Sequence, residues 1–387
     1  MKLFNNKNLY QVIDLLYYTI NLHTNKMVID KIYNPWNLLN LLMKKLENNR
    51  STDSQKLSRT VITILILVAI LIIVLLANLG LGSVRISVSD IINALFNPDS
   101  TGKAAIIIKS IRLPRVIAGF LAGIALSTSG IVLQGVMNNA LAGPGTIGVN
   151  SGAGFAVMLA YLMFPKTTWA GPLFSFFGAL ITTIVIFMLA YFGDRSRMTI
   201  ILAGITVSSF LSAGINLIKT LDNDITINLN SFMMGSLAGV SYSSIALPAI
   251  GIIVAFVLAL IMSKALNIIN LGDDIARSLG VRVNLLRFLL LIISSVLAGC
   301  VVSFAGLLGF VGLIVPHISR KLFGNDARIL IPCSALIGAS MVLLCDMIGR
   351  VVFSPYELPA GILMSFIGGP FFLYLLLRKK GGRRINA

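Results

Sequence analysis

LGDDIARSLG (271–280), FAGLLGFVGLIVPHISR (304–320) and ELPAGILMSFIGGPFF (357–372) are the stretches on which the reading of this chain turns. The second and third are apolar enough for membrane helices, yet they carry Gly and Pro in their interiors. The first is a polar connection with Leu-Gly at both ends. Glycine lets helix backbones approach closely in lipid, and proline removes a hydrogen bond and bends the helix. The expected structure is therefore a bundle of touching, bending membrane helices, and an inert anchor would not need it.

Working outward, 57% hydrophobic and 12% charged residues over 387 positions exclude a soluble globular protein. A bilayer core about 30 Å thick needs ~20 apolar residues per helix. Windows of that kind recur at 57–78, 113–136, 146–164, 171–192, 198–218, 244–263, 285–303, 307–323, 329–349 and 358–377. The fold class is all-α and polytopic, with about ten transmembrane helices, of which the third and eighth windows are the weakest. Strands of a membrane barrel would be short and alternating, which these runs are not.

The net charge of +17 is a topology signal. With the N-terminus in the cytoplasm and ten spans threaded, 23 of the 31 Lys and Arg fall on the inner side. The positive-inside bias then puts both termini of a multi-pass cell-membrane protein in the cytoplasm. Nucleic acid is disfavoured as a partner, because no aromatic-interleaved basic surface accompanies the charge. Cys300, Cys333 and Cys345 fall inside spans without metal-ligand spacing and read as small buried hydrophobes.

Residues 1–55 form an Asn- and Lys-rich extension, 56–380 the membrane domain, and 381–387 a basic tail. One reading of the extension takes its amphipathic run from Trp36 to Leu46 as an interfacial helix on the inner leaflet; the favoured one is that translation starts at Met43, whose MKKLENNRST resembles a short basic lead into a first span. The first strong apolar run is long enough to span, so it does not resemble a cleaved signal. The outer loop 79–112 is expected to hold a short helix near Ser89–Phe96, capped by Ser89 or Asp90, and a second outer loop contains Asp222 and Asp224. The inner connection 264–284 has the pattern of two short helices joined at a turn.

Gly119 with Gly123, Gly148 with Gly152, and Gly235 with Gly239 have small-xxx-small spacing. For any one pair, ordinary packing explains it. Asp346 is the only one of 14 carboxylates inside a span, four residues before Arg350, which favours an i,i+4 ion pair over a proton relay. His317, after Pro316, reads as a structural histidine ahead of a metal ligand or relay. Arg112 and Arg115, flanking Pro114, and Arg350 lie on the outer side against the charge bias. Snorkelling to head groups is one explanation, and docking of an acidic partner or anionic ligand is the other. No GxxxxGK[ST] occurs, so nucleotide must be bound by another chain if ATP drives the protein. No cofactor, metal site or clustered nucleophile is expected, and the chain does not read as an enzyme. Gly148, Gly152, Gly309, Gly312, Pro316, Gly361, Gly368, Gly369 and Pro370 are numerous enough to mark a gate near a translocation path.

RLPR (112–115), SGIVLQ (129–134), NALAGPGTIG (139–148), GSL (235–237), LGDDIARSLG, GFVGLIVPHISR, the Asp346–Arg350 segment and ELPAG–IGGPFF occur in the order seen in FecCD-type permeases. The chain resembles these membrane subunits of type II ABC importers from about residue 57 to 380. The resemblance implies a permease moving an iron(III)–siderophore complex, with haem and cobalamin as alternative cargoes. It implies pairing with an identical or homologous permease, two cytoplasmic ATPase subunits and an external substrate-binding protein. Leu271, Gly272, Asp273, Asp274, Ala276, Arg277, Leu279 and Gly280 would form the ATPase-coupling loop, with Asp273, Asp274 and Arg277 as surface contacts. Arg112, Arg115 and Arg350 would meet glutamates of the binding protein, and the region around Gly204 would lie near the path. The chain departs from the family at Asn138-Asn139-Ala140, at Gly143 and at Phe232, which touches gating detail. An ion-coupled secondary transporter is the competing class, and it would need an essential membrane carboxylate.

Overall fold

The computed structural model describes residues 60–379 except 83, 85, 98, 99, 101, 146, 147, 195, 222–229 and 231. The chain divides into two compact units, Met1–Thr63 and Ile64–Ala387, and the second carries everything below except the first four residues of the first helix. Expectations for the N-terminal extension, Asp222, Asp224 and the basic tail fall outside the described residues.

The described elements are helices: α1 (Thr60–Gly80), α2 (Val88–Phe96), α3 (Lys103–Met137), α4 (Val149–Met163), α5 (Ala170–Phe192), α6 (Arg197–Leu221) and α7 (Tyr242–Ile261). After them come α8 (Ser263–Asn270), α9 (Asp273–Ser278), α10 (Val283–Ala305), α11 (Val311–Phe323), α12 (Ala327–Val351) and α13 (Ala360–Lys379). Seven of these are long and apolar enough to cross a membrane, and α4 and α13 are shorter apolar helices. All ten expected windows fall on helices, with α11 at the eighth position. That helix starts only at Val311, because Gly306 and Phe310 adopt positive φ of 67° and 64° and break the run.

α3 is the central element, packed against α7, α8, α10, α11 and α12. Its length comes with an irregularity: Ile107–Arg112 forms a π-type turn, in which Leu113 N–H donates to the Ile108 carbonyl. Pro114 explains it, since its ring has no N–H and crowds the carbonyl four residues back, so the ladder re-registers ahead of it. Deeper in α3 the neighbours come within backbone contact. A Cβ at Gly123 would overlap the Gly338 carbonyl, and one at Gly130 would overlap the Gly312 carbonyl. α4 and α5 cross in the same manner, where a Cβ on Gly178 would lie 2.5 Å from the Gly152 oxygen.

Gly235 and Gly239 are not a helix-packing pair. Both sit in a non-helical segment with φ of 67° and 72°, a conformation that side-chain-bearing residues rarely adopt. That segment, the break after α10 and the entry to α13 satisfy one another: Ser236 N donates to Ala305 O (2.8 Å), Leu307 N to Phe232 O (3.0 Å) and Gly361 N to Gly235 O (3.0 Å). Irregular backbone in a bilayer is tolerated only with such internal partners. α2 starts one residue before the expected position, and its cap is Ser87, whose Oγ accepts from Asp90 N at 3.2 Å. Asp90 is thus the acidic partner of the cap and not the cap itself.

Candidate functional site: two polar clusters at opposite ends of the bundle

Arg115 lies twelve residues into α3, just past its π-type turn, while Gly135 near the C-terminal end of that helix packs against Leu266 and Asn270 of α8. Twenty residues of helix put these two positions about 30 Å apart, at opposite ends of the bundle. The polar residues named from sequence collect at both ends.

At the first end the three arginines come together and turn inward. Arg112, Arg115 and Arg350 are 4%, 7% and 4% exposed. Both oxygens of Asp346 accept from Arg115 Nε at 3.0 Å, and Asp346 Oδ1 also takes Arg115 Nη2 at 2.9 Å. Asp346 Oδ2 pairs with Arg350 Nε at 3.1 Å, the i,i+4 contact expected from sequence. Arg115 Nη1 reaches Glu357 at 2.7 Å, Arg350 Nη2 reaches Asn78 Oδ1 at 2.7 Å, and Arg112 donates to the carbonyls of Leu79 and Val84. The cluster ties α1, α3 and α12 together. Three guanidiniums face two carboxylates, so it keeps an excess positive charge. Glu357, half exposed, is its outermost member.

At the second end the inner connection is two short helices, α8 and α9. Gly272 and Gly280 flank α9 with φ of 113° and 79°, and a Cβ on either would meet nothing within 4 Å. The Leu-Gly frame therefore serves backbone conformation and not close packing. Ala276 is fully buried, while Leu271, Ile275 and Leu279 are 59%, 50% and 61% exposed. Asp274 and Arg277 are also exposed. Asp273 is the exception among the three expected surface contacts. Its Oδ1 accepts from Arg197 Nη2 and its Oδ2 from Arg287 Nη2, both at 2.7 Å. Burial disfavours its charge, but the hydrogen bond and charge of Arg287, then of Arg197, outweigh that and hold the pKa below the ordinary value. Neither arginine stood out in the sequence, because both lie far along the chain in unremarkable basic positions.

The Gly and Pro residues expected to mark a gate occupy different kinds of position. Gly152, Gly312 and Gly361 sit in backbone contact with Gly178, Gly130 and Met234, so packing accounts for them. Gly148 is the left-handed residue before α4, and Pro316 and Pro370 lie inside α11 and α13. Gly368 lies under the Phe310 ring. Gly369 has nothing within 4 Å and Gly309 only Ser365 Oγ at 3.9 Å. Gly309 and Gly312 line a cavity of about 200 Å³ with Pro144 and Phe310. A second cavity of about 510 Å³ lies between Asn138, Asn139, His317, Lys321 and Phe371. His317 stacks edge-on against Phe371, with ring centroids 5.9 Å apart, and its Nε2 is buried without a hydrogen-bond partner.

Long apolar helices, irregular backbone satisfied within the protein and, among the described residues, charge gathered toward the two ends define a multi-pass membrane protein. Residues 70–378 match the FecCD transport family, and the chain belongs to it. It is 37% identical over 325 residues to the Fe(3+)-citrate import system permease protein YfmE of Bacillus subtilis (strain 168), covering 84% of this chain and 97% of that protein. It is 34% identical over 316 residues to the hemin transport system permease protein HmuU of Yersinia pestis, covering 80% and 95%. Among solved structures it is similar to a metal-chelate type ABC transporter in an inward-facing conformation, with a TM-score of 0.73 and 30% identity over 81% of this chain and 97% of that one.

Proposed function

We propose that this chain is the permease subunit of an ABC importer that brings an iron(III)–siderophore complex across the cell membrane. A second permease subunit completes the path, two ATPase subunits drive it, and an external binding protein delivers the cargo. The observation that carries the ATPase assignment is the uncovered apolar face of α9. Ile275 and Leu279 are one helical turn apart, and Leu271 lies just ahead of them, all exposed at the end of the bundle where the sequence concentrates its positive charge. Exposed apolar side chains on a polar loop mark a protein interface. This end is the cytoplasmic one on the positive-inside rule, which leaves both termini in the cytoplasm.

The path reading rests on α6. Its exposed residues include Thr206, Ser209, Ser212, Asn216 and Thr220, which fall within about a third of the helix circumference at 3.6 residues per turn, alongside the exposed apolar Leu202, Ile205, Phe210 and Leu217. Beyond Ser243 the exposed side chains of α7 are apolar without exception, among them Leu247, Ile250, Ile253, Val254 and Val257, as lipid requires, whereas those of α6 are mixed. Three α6 hydroxyls return their protons to their own helix carbonyls, but Asn216 is poorly suited to hydrocarbon. A wet path between two subunits suits it. The cargo class follows the relatives, several of which are named for iron(III) chelates and one for hemin. At the far end, the excess positive charge of the arginine cluster supports a seat for the binding protein. A partner carboxylate would reach Arg115 by replacing Glu357, the exposed member. The secondary-transport alternative loses its carboxylate, since Asp346 is committed to two arginines.

The test is the triple variant Leu271→Ser, Ile275→Ser, Leu279→Ser. These side chains are exposed, so the permease should reach the membrane at the wild-type level, whereas co-purification with the ATPase subunit should be lost. Full retention of the ATPase by the variant would refute the assignment.

A further inference from the structure

The two short helices are held to the membrane bundle by a small number of polar contacts. On α8, Asn267 Nδ2 donates to Asp326 at 2.8 Å and Asn267 Oδ1 accepts from Ala327 N at 2.8 Å, which ties α8 to the start of α12. On α9, both carboxylate oxygens of Asp273 are used, one by the first residue of α6 and the other by the second turn of α10. Arg287 is 1% exposed, which is unusual for an arginine and shows that its charge is enclosed by protein. Arg197 Nη2 also donates to Ile269 O at 3.1 Å, bridging α6 to the end of α8. The carboxylate therefore stands where α6, α9 and α10 meet. The apolar face of α9 is solvent-exposed, and Ala276 beneath it is fully buried.

We propose that Asp273 is a positioning residue: it pins α9 to α6 and α10, so that displacement of α9 by the soluble partner is carried into the helix bearing the exposed polar stripe. This rests on the ATPase reading above and gives it a mechanical link. The apolar side chains of α9 bind the partner, and the carboxylate on its inner side transmits the motion. Two ion pairs to two different helices suit that task better than one. A single pair allows pivoting, whereas two bonds from one carboxylate plane fix the orientation of the short helix as well as its position. A Cβ on Gly272 or Gly280 would meet nothing within 4 Å, so the two flanking positions are not themselves packed against the bundle.

The test compares wild type, Asp273→Asn and Asp273→Glu in the full importer reconstituted with its ATPase and binding protein. Asp273→Asn keeps the side-chain shape and should bind the ATPase at wild-type stoichiometry, while uptake per ATP hydrolysed falls about fivefold or more. Asp273→Glu, which can still meet both arginines, should recover most of that ratio. In the permease without its ATPase, a spin label on Ser278→Cys should become more mobile in the Asn variant only. Loss of ATPase binding in Asp273→Asn would make Asp273 a surface contact and overturn the proposal, as would an unchanged ratio or unchanged label mobility. If Asp273→Asn fails to reach the membrane, Arg197→Gln removes one of the two pairs and is read by the same ratio and label. If wild-type permease binds no ATPase, the functional reading fails, while the label still decides whether the pin exists.

Discussion

Replacing Asp346 by Ala strips the acceptor shared by Arg115 and Arg350, both of which are almost fully buried. Breaking a buried pair by removing one partner costs about 3–5 kcal/mol, because the other charge stays enclosed. Here two guanidiniums are left, which pushes the loss upward. Each keeps a second partner, however, Glu357 at 2.7 Å for Arg115 and Asn78 at 2.7 Å for Arg350, which pushes it down. The lower end of the range, about 3 kcal/mol, is the expected result. For a unit of this size that lowers the melting temperature in detergent by about 4–5 °C. Asp346→Asn keeps one acceptor oxygen and should lose about half as much. The assay is thermal unfolding of purified protein, with uptake measured at matched membrane levels. If Asp346→Ala melts within about 2 °C of wild type, the cluster is not a brace. If Asp346→Asn abolishes uptake while ATP depletion leaves wild-type uptake intact, the carboxylate belongs to an ion-coupled transporter.

Gly130→Ala should be destabilised by overpacking of about 1–3 kcal/mol, because the new methyl meets the Gly312 carbonyl and neither backbone can retreat. Gly369→Ala is the control, with nothing within 4 Å, and its melting temperature in detergent should match wild type. The Asp273 pin should also respond to acid in a defined direction. Its pKa is depressed, so the stability it lends is full above the ordinary aspartate value of about 3.9 and is lost as pH falls through the lower folded value. A spin label on Ser278→Cys should therefore report constant order from about pH 5 to 9 and loosening only below about 4. A midpoint within the neutral range would refute the pairing.

Long apolar runs made the spanning helices legible, since nothing but lipid explains twenty apolar residues in a row. The Asp346–Arg350 pair was legible for the same kind of reason, because four residues along a helix is one turn. What hid was everything carried by distant partners. Arg115 lies 231 positions before Asp346, and no local pattern joins them. Asp273 faces the same difficulty: its doublet with Asp274 reads as two exposed acids, and only the fold shows that the first is paired with Arg197 and Arg287. Glycine was ambiguous in another way. Gly312 and Gly369 look alike in sequence, yet one touches a neighbouring backbone and the other faces open space. The start of α11 was misplaced because periodicity cannot distinguish an apolar helix from an apolar stretch of irregular backbone. Gly306 and Phe310 supply that distinction through their positive φ, and a phenylalanine in that conformation carries no sequence signal.

The two kinds of helix contact in this bundle bear on which element moves. α3 meets α12 at Gly123–Gly338 and α11 at Gly130–Gly312, backbone on backbone, where a slide of even an ångström forces overlap. Those three helices form a block, and the arginine cluster, held to α12 through Asp346, locks its far end to α1. α6 is held differently. Its packing is against α4 and α5, much of its surface is exposed, and the ties of Arg197 to α9 and α8 are made at its first residue. A helix with one weakly covered face and one charged tether at its base can tilt about that base without disturbing the block. On the proposed transmission, a push on Leu271, Ile275 and Leu279 reaches α6 through Asp273, and the polar stripe from Thr206 to Thr220 swings with it. Asn267 holds α8 to the start of α12, so the same push has a fixed point to work against. The pin and the anchor thus make a lever of the two short helices, with the arm on α6 and the fulcrum on the rigid block.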